Sequence, residues 1–126
     1  MAVRKIVFSP LDGQRHSAFD YLNSLPIHEK TTILNRLQYL AERPRSDWPR
    51  GWCKKFRDDI LEHKKGDHRV MLLLDGEALL VVVHAFRKEA QEIREHDVHR
   101  TMINRNAYWE AKKAKENGKS HSQRRP

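Results

Sequence analysis

The sequence is poor in residues that staple a fold, span a membrane or cradle a phosphate. Of its 126 residues one is cysteine and only five are glycine. The lone thiol, Cys53, closes no internal disulfide and supplies no CxxC metal pair, which fits a reducing compartment. No Gly-rich loop of P-loop or Rossmann spacing is present and no GxSxG elbow, so nucleotide hydrolysis, dinucleotide redox and α/β-hydrolase chemistry have no support. The longest apolar stretch, Ala78 to Phe86, is broken by His84 and is far too short to cross a bilayer as a helix. The N-terminus has no apolar run of signal-peptide length, so a cytoplasmic protein is expected. Acids are the scarcer charge, 17 against 25 Lys+Arg. The resulting +8 favours polyanionic partners.

The excess is unevenly placed. From His99 to the C-terminus eight basic residues face only Glu110 and Glu116, so the preceding body is nearly neutral. Ala2 to Phe8 is β-branched and aromatic and runs into Ser9-Pro10 and Asp12-Gly13, which predicts a short first strand and a turn. Ala18, Phe19, Leu22 and Leu25 fall at helical spacing over Arg15–Leu25. Ser24 reads as the cap of a second helix, with Pro26 in its first turn. That helix carries Ile27, Ile33, Leu34, Leu37, Leu40 and Ala41 as one stripe and stops at Arg43-Pro44. Arg45 to Lys55, with Trp48 and Trp52 flanked by Pro49 and Gly51, reads as an ordered loop whose tryptophans are anchors beneath it.

Three strand-like runs follow, Ile60–Lys64, Arg69–Leu74 and Leu79–Phe86, the last two joined by a two-residue Asp75-Gly76 turn. Both hairpin strands are apolar at consecutive positions and are expected inside the sheet. With that turn Leu74 faces Glu77 and Arg69 faces Val82, and Arg69, Val82, His84 and Phe86 share a face. Glu89 to about Lys115 is helix-compatible and stops at Asn117-Gly118. The expected division is one domain over 1–118 and a basic disordered tail over 119–126. The fold class is α+β: a small antiparallel-dominated sheet of about four strands with two N-terminal helices and a C-terminal one.

His96 and His99 lie three apart on a helix, but HExxH is absent and no cysteine cluster completes a site, so no metal or other cofactor is expected. What remains is acid–base and electrostatic chemistry on a phosphodiester. Cleavage of RNA by its own 2′-hydroxyl needs a proton acceptor, cations for the phosphoryl oxygens and a donor for the departing oxygen. Glu62, His63, Lys64, His68, Arg69, His84, Arg87 and Lys88 lie on or beside adjacent strands. A structural salt bridge from Arg69 to Glu62 or Asp67 is the alternative for that arginine.

Phe56-Arg57-Asp58-Asp59-Ile60-Leu61-Glu62-His63-Lys64 is similar to the L-x-D-G-[IL]-[WY]-E-[LI]-R strand of the RelE/ParE toxin superfamily, and His68-Arg69-Val70-Met71-Leu72 to its Y-R-V-x-Y strand. His84-Ala85-Phe86-Arg87-Lys88-Glu89-Ala90-Gln91 resembles the H-G-F-x-K-K-[ST]-x segment of the phage-derived, HigB-like branch. The resemblance implies the toxin of a type II toxin–antitoxin pair, an endoribonuclease acting on mRNA at the ribosome, neutralised by an antitoxin that commonly carries a helix-turn-helix. Carried over by position, Arg69 steadies the phosphate, Lys64 and Lys88 supply further cations, and Glu62 positions a base or braces the strand. His68 or His63 serves as the acid or base, and Arg57, Lys65, His84 and Arg87 lie on the substrate side. The departures are Asp59 for Gly, Leu61 for the aromatic, His68 and Leu72 for the two Tyr, and Ala90 for Ser/Thr. They leave open two other readings: a ParE-like inhibitor of a DNA topoisomerase, and a non-catalytic binding protein.

Overall fold

The computed structural model describes residues 3–9 and 17–123, with side chains as far as residue 116. Strand β1 is Lys5–Phe8, followed by helices α1 (Ser17–Asn23) and α2 (Ile27–Ala41) and a 3₁₀ turn at Arg45–Asp47. Then come β2 (Cys53–Arg57), β3 (Ile60–Lys65), β4 (His68–Asp75), β5 (Leu79–Arg87) and α3 (Glu95–Gln123). The expected Asp12-Gly13 turn lies outside the described residues. The five strands form one sheet in the order β1-β5-β4-β3-β2, antiparallel except for the β1–β5 pair. The hairpin strands β4 and β5 are interior, as their unbroken apolar runs require.

Alternation along the strands divides the core in two. Leu61, Val70, Leu72, Val82 and Ala85 pack with Ala18, Leu22, Ile33, Leu37 and Leu40 of α1 and α2. Ile60, Met71, Leu73, Val81, Val83 and Phe86 point the other way, against Tyr108, Met102 and Trp109 of α3. The α+β class holds, and the structure corrects the expected details in five places. A fifth strand, β2, comes out of the end of the Trp-rich segment read as loop, because Lys54 and Lys55 pair with Glu62 and Leu61 of β3. Ser24 does not cap α2; its hydroxyl donates to the Tyr21 carbonyl at 2.6 Å and closes α1 instead. The β4–β5 turn has three residues, not two, since Asp75 pairs with Leu79 and Gly76 takes φ 59°, where a side chain is strained. A register shift at Met71/Leu72 leaves Val83 as an extra residue, so Arg69 faces Phe86 and Val82 lies on the opposite face. Finally, α3 starts at Glu95, not Glu89, and its backbone passes the expected Asn117-Gly118 stop to Gln123. The strong helix formers Ala111 to Glu116 carry it through. The tryptophans are anchors as expected. Trp48 donates to the Leu40 carbonyl at 3.0 Å, and Trp52 packs on Tyr39 under the Arg36 guanidinium.

Two aspartates at strand turns tie α3 to the sheet. Asp59 accepts from Arg105 Nε at 2.8 Å and Trp109 Nε1 at 2.9 Å, so the residue that replaces the resemblance's Gly is a helix anchor. The left-handed turn position falls on Asp58 instead, at φ 51°. Asp75 accepts from Tyr108 Oη and, at 2.6–2.7 Å, from Lys112. Burial alone raises the Asp75 pKa, but Lys112 and Tyr108 outweigh it and hold the carboxyl below its usual range. Tyr108→Phe strips a hydrogen bond to a charged group and is expected to cost about 1.5–3 kcal/mol by urea denaturation.

Candidate functional site

Apart from Arg57, which ends β2 opposite Ile60 at the far turn, the residues picked from the sequence gather toward one end of the sheet, around the β3–β4 turn and the end of β5, but on both faces. Glu62, Lys64, Arg69 and His84 lie on the α3 face, whereas His63, Lys65, His68 and Arg87 lie on the face covered by α1 and α2. One set of roles on a single surface is therefore not what the fold builds.

On the α3 face, a cleft of about 360 Å³ opens between β2 and the segment that leads into α3. Lys54, Lys55, Arg57 and Lys88 line it against two acids, Glu62 and Glu92, with Phe56, Ile93 and Val98 as apolar wall. At its floor the Glu62 carboxylate pairs with Arg69, Oε2 to Nε at 3.2 Å, with side chains only 4% and 8% exposed. The Nε–H is not aimed along that contact, so charge and not an aligned hydrogen bond holds the pair. Arg69 Nη1 donates to the Gly66 carbonyl at 2.7 Å and the His68 carbonyl at 3.1 Å. The geometry thus contains the salt bridge to Glu62 that was the alternative reading of Arg69. Lys64, beside it in register, is exposed on the same face.

His84 is buried with both nitrogens engaged, Nε2 with Asp97 and Nδ1 with Ser17, each at 2.9 Å. Its ring stacks on Phe86, and burial, opposed by Asp97, lowers its pKa. It joins α1 and α3 to β5. His63 is fully buried under Trp52, its Nδ1 2.9 Å from the Trp52 carbonyl, which therefore accepts its proton. Burial first, and Arg36 second, push its pKa down to about 4 against the opposing carbonyl bond. A substrate contact from His63 would require the Trp52 loop to open. Neighbouring Cys53 has its pKa pushed up to about 12 by burial, which makes it a poor nucleophile. Among the described residues no group of three or more His, Cys, Asp or Glu is placed to hold a metal, and no helix is long and apolar enough to cross a membrane.

Sequence reading missed the cleft residues Lys54 and Lys55, because it took their strand for a loop. Their signal was the pair Lys54-Lys55 set between Cys53 and Phe56 ahead of a turn at Asp58-Asp59, a pattern too short and too irregular to separate from an ordered loop.

The family model described as Phage derived protein Gp49-like (DUF891) matches residues 20–106. The chain belongs to the Gp49-like family. The match takes in α1 to the middle of α3, and so every residue of the cleft. A search of the curated proteins finds no match. Among solved structures, this Gp49-like chain is similar to a chain of the toxin–antitoxin complex RelBE2 from Mycobacterium tuberculosis, at TM-score 0.51 and 15% identity. The likeness covers 69% of this chain and 99% of the other, and it establishes a shared RelE-like fold.

Proposed function

We propose that this Gp49-like protein is the toxin of a toxin–antitoxin pair, of the HigB-like branch, and a cytoplasmic endoribonuclease that cleaves mRNA at the ribosome without a metal and so stops translation. Its partner in this reading is an antitoxin with a helix-turn-helix. The observation that carries the reading is the cleft of four cations around a buried carboxylate–guanidinium pair. An RNA backbone is a row of phosphates that such a groove can neutralise, and Phe56 and Ile93 give a base an apolar surface. The family match and the RelBE2 likeness support it. Lys88, Lys54 and Arg57 meet the phosphates directly, Lys64 adds a cation on the same face, and Arg69 with Glu62 keeps the floor rigid.

The test is cleavage of mRNA in EDTA, on and off ribosomes; intact RNA in both would sink the reading. Binding of single-stranded RNA should weaken with salt, with a log–log slope of about 0.7 per neutralised phosphate. Lys54→Ala and Lys88→Ala are each expected to remove about that much from the slope. A slope unchanged in both variants places the RNA elsewhere.

A further inference from the structure

On the other face, at the same end of the sheet as Lys88, three side chains from three elements form one hydrogen-bonded row. His68 opens β4, Tyr21 lies in α1 and Glu29 in the first turn of α2. Tyr21 Oη is 2.6 Å from His68 Nδ1, and Glu29 Oε1 is 3.1 Å from Nε2. A carboxylate only accepts, so in the neutral ring Nε2 carries the proton. Nδ1 is then left to accept, and the Tyr21 hydroxyl donates to it. The His68 side chain is 7% exposed and meets the Tyr21 ring edge to face. Burial raises the Tyr21 pKa, so the phenol keeps the proton this row requires.

A row built only to satisfy a buried imidazole has no need of solvent or of cations, and this one has both. His68 and Glu29 line a polar pocket together with Arg87 and Lys65. These two cations are the direct cross-strand partners of His68, one on each side. Glu29 is 41% exposed and Tyr21 only half-buried, so neither end of the row is sealed in the core. Among the described residues Arg87 is tied only to exposed Asp67 at 4.0 Å, a contact too long and too solvated to hold it. Lys88 follows Arg87 in the chain and lines the opposite cleft, so the two cation-lined sites adjoin at the end of β5.

We infer that Tyr21 is the acid–base residue of this protein's RNA cleavage, with His68 relaying its proton, Glu29 positioning His68, and Arg87 and Lys65 binding the phosphate. This rests on the ribonuclease reading above and extends it to groups on the α1–α2 face. The 2′-oxygen bonds to the adjacent phosphorus as its proton passes to Tyr21 Oη and the tyrosyl proton passes to His68 Nδ1. The bond from phosphorus to the 5′-oxygen breaks. The imidazolium, paired with Glu29, returns its proton through Tyr21 to that oxygen. The products are a 2′,3′-cyclic phosphate and a 5′-hydroxyl, and no co-reactant is consumed.

The experiment is steady-state cleavage of RNA, with and without ribosomes, by the full chain and its variants. Tyr21→Phe should lower kcat by about 10²–10⁴-fold, with KM little changed. Glu29→Gln, nearly the same shape but uncharged, should lower kcat by about tenfold or more, with part recovered in Glu29→Asp. A purely packing role predicts the reverse order, Gln tolerated better than Asp. A wild-type chain that cleaves beside a folded Tyr21→Phe that cleaves with the same kcat overturns the inference and leaves the ribonuclease reading standing. A wild-type chain that leaves RNA intact both with and without ribosomes overturns both. Should Tyr21→Phe not fold, the ¹⁵N imidazole shifts of His68 in the wild-type protein decide: the Nε2–H tautomer is required, and an Nδ1–H tautomer overturns the relay.

Discussion

Arg69→Ala is expected to lower the free energy of unfolding by about 3–5 kcal/mol, among the largest losses a single substitution can cause in this chain. The reason is what it leaves behind. Glu62 is 4% exposed, and without the guanidinium its carboxylate stays charged in a low-dielectric site or is forced to take up a proton. The Gly66 and His68 carbonyls lose their donor in the same step, which loosens the β3–β4 turn. Removing both charges should cost much less than the two single losses added together, because an apolar pair of similar volume strands nothing. A urea double-mutant cycle over Arg69→Met and Glu62→Leu measures this. An Arg69→Ala midpoint equal to wild type would show that the pair contributes nothing to the fold. This bears on function too: loss of toxicity in Arg69→Ala reports on chemistry only once the variant is shown to be folded.

The second large effect is with pH. Stability is expected to fall by about 3 kcal/mol as pH drops from 6.5 to 4, chiefly through His63. Its folded pKa is lowered to about 4 from an unfolded 6.5, so between those values the unfolded chain binds the proton and the folded chain does not. Stability from this group is therefore complete above pH 6.5 and lost progressively toward pH 4. The local cause is plain: Nδ1 already gives its proton to the Trp52 carbonyl, and Nε2 is buried with no partner among the described residues, so a second proton would be an unsatisfied donor next to Arg36. His84, also lowered, acts in the same direction. Asp59 and Asp75 are depressed as well, but their contributions are lost only below the ordinary carboxylate range. In His63→Phe most of the acid sensitivity between pH 6.5 and 4 should vanish at little cost at neutral pH, since the Trp52 carbonyl keeps the Lys64 N–H at 2.9 Å. Unfolding midpoints across that range check it. An undiminished pH slope in His63→Phe would place the sensitivity in other groups.

How far the sequence could be read depended on the range of the interactions involved. The α2 stripe, the two apolar strands and the anchoring tryptophans were legible because burial of one face writes a period into the chain, and a period needs only near neighbours. The hairpin register was not. A three-residue turn and an extra Val83 moved Arg69 from Val82 to Phe86, and the first residue before that turn, Asp75, is held by Tyr108 and Lys112 far along the chain. A one-residue change of pairing is silent in composition and moves a side chain through the sheet. Tyr21 and Glu29 left a faint trace: Tyr21 sits three residues after buried Ala18, and Glu29 four before buried Ile33, so each lies on a core-facing side of its helix. Nothing local says that both meet one histidine.

The scarcity of cysteine and glycine and the lack of a long apolar run decided alone that this chain has no internal disulfide, no phosphate loop of known spacing and no apolar run long enough to span a bilayer, because those features are properties of local residue content. The motif order around Glu62, Arg69 and Lys88 likewise pointed to the stretch that the Gp49-like family match covers. Which of those residues face each other was a tertiary matter. The pleat sends neighbours in sequence to opposite faces, so Glu62 and Arg69 became a buried floor, His63 and His84 became struts, and His68 turned to Tyr21 and Glu29. A hydrogen bond or an ion pair acts over a few ångströms in space whatever the separation along the chain, and only the folded sheet brings those distances into being.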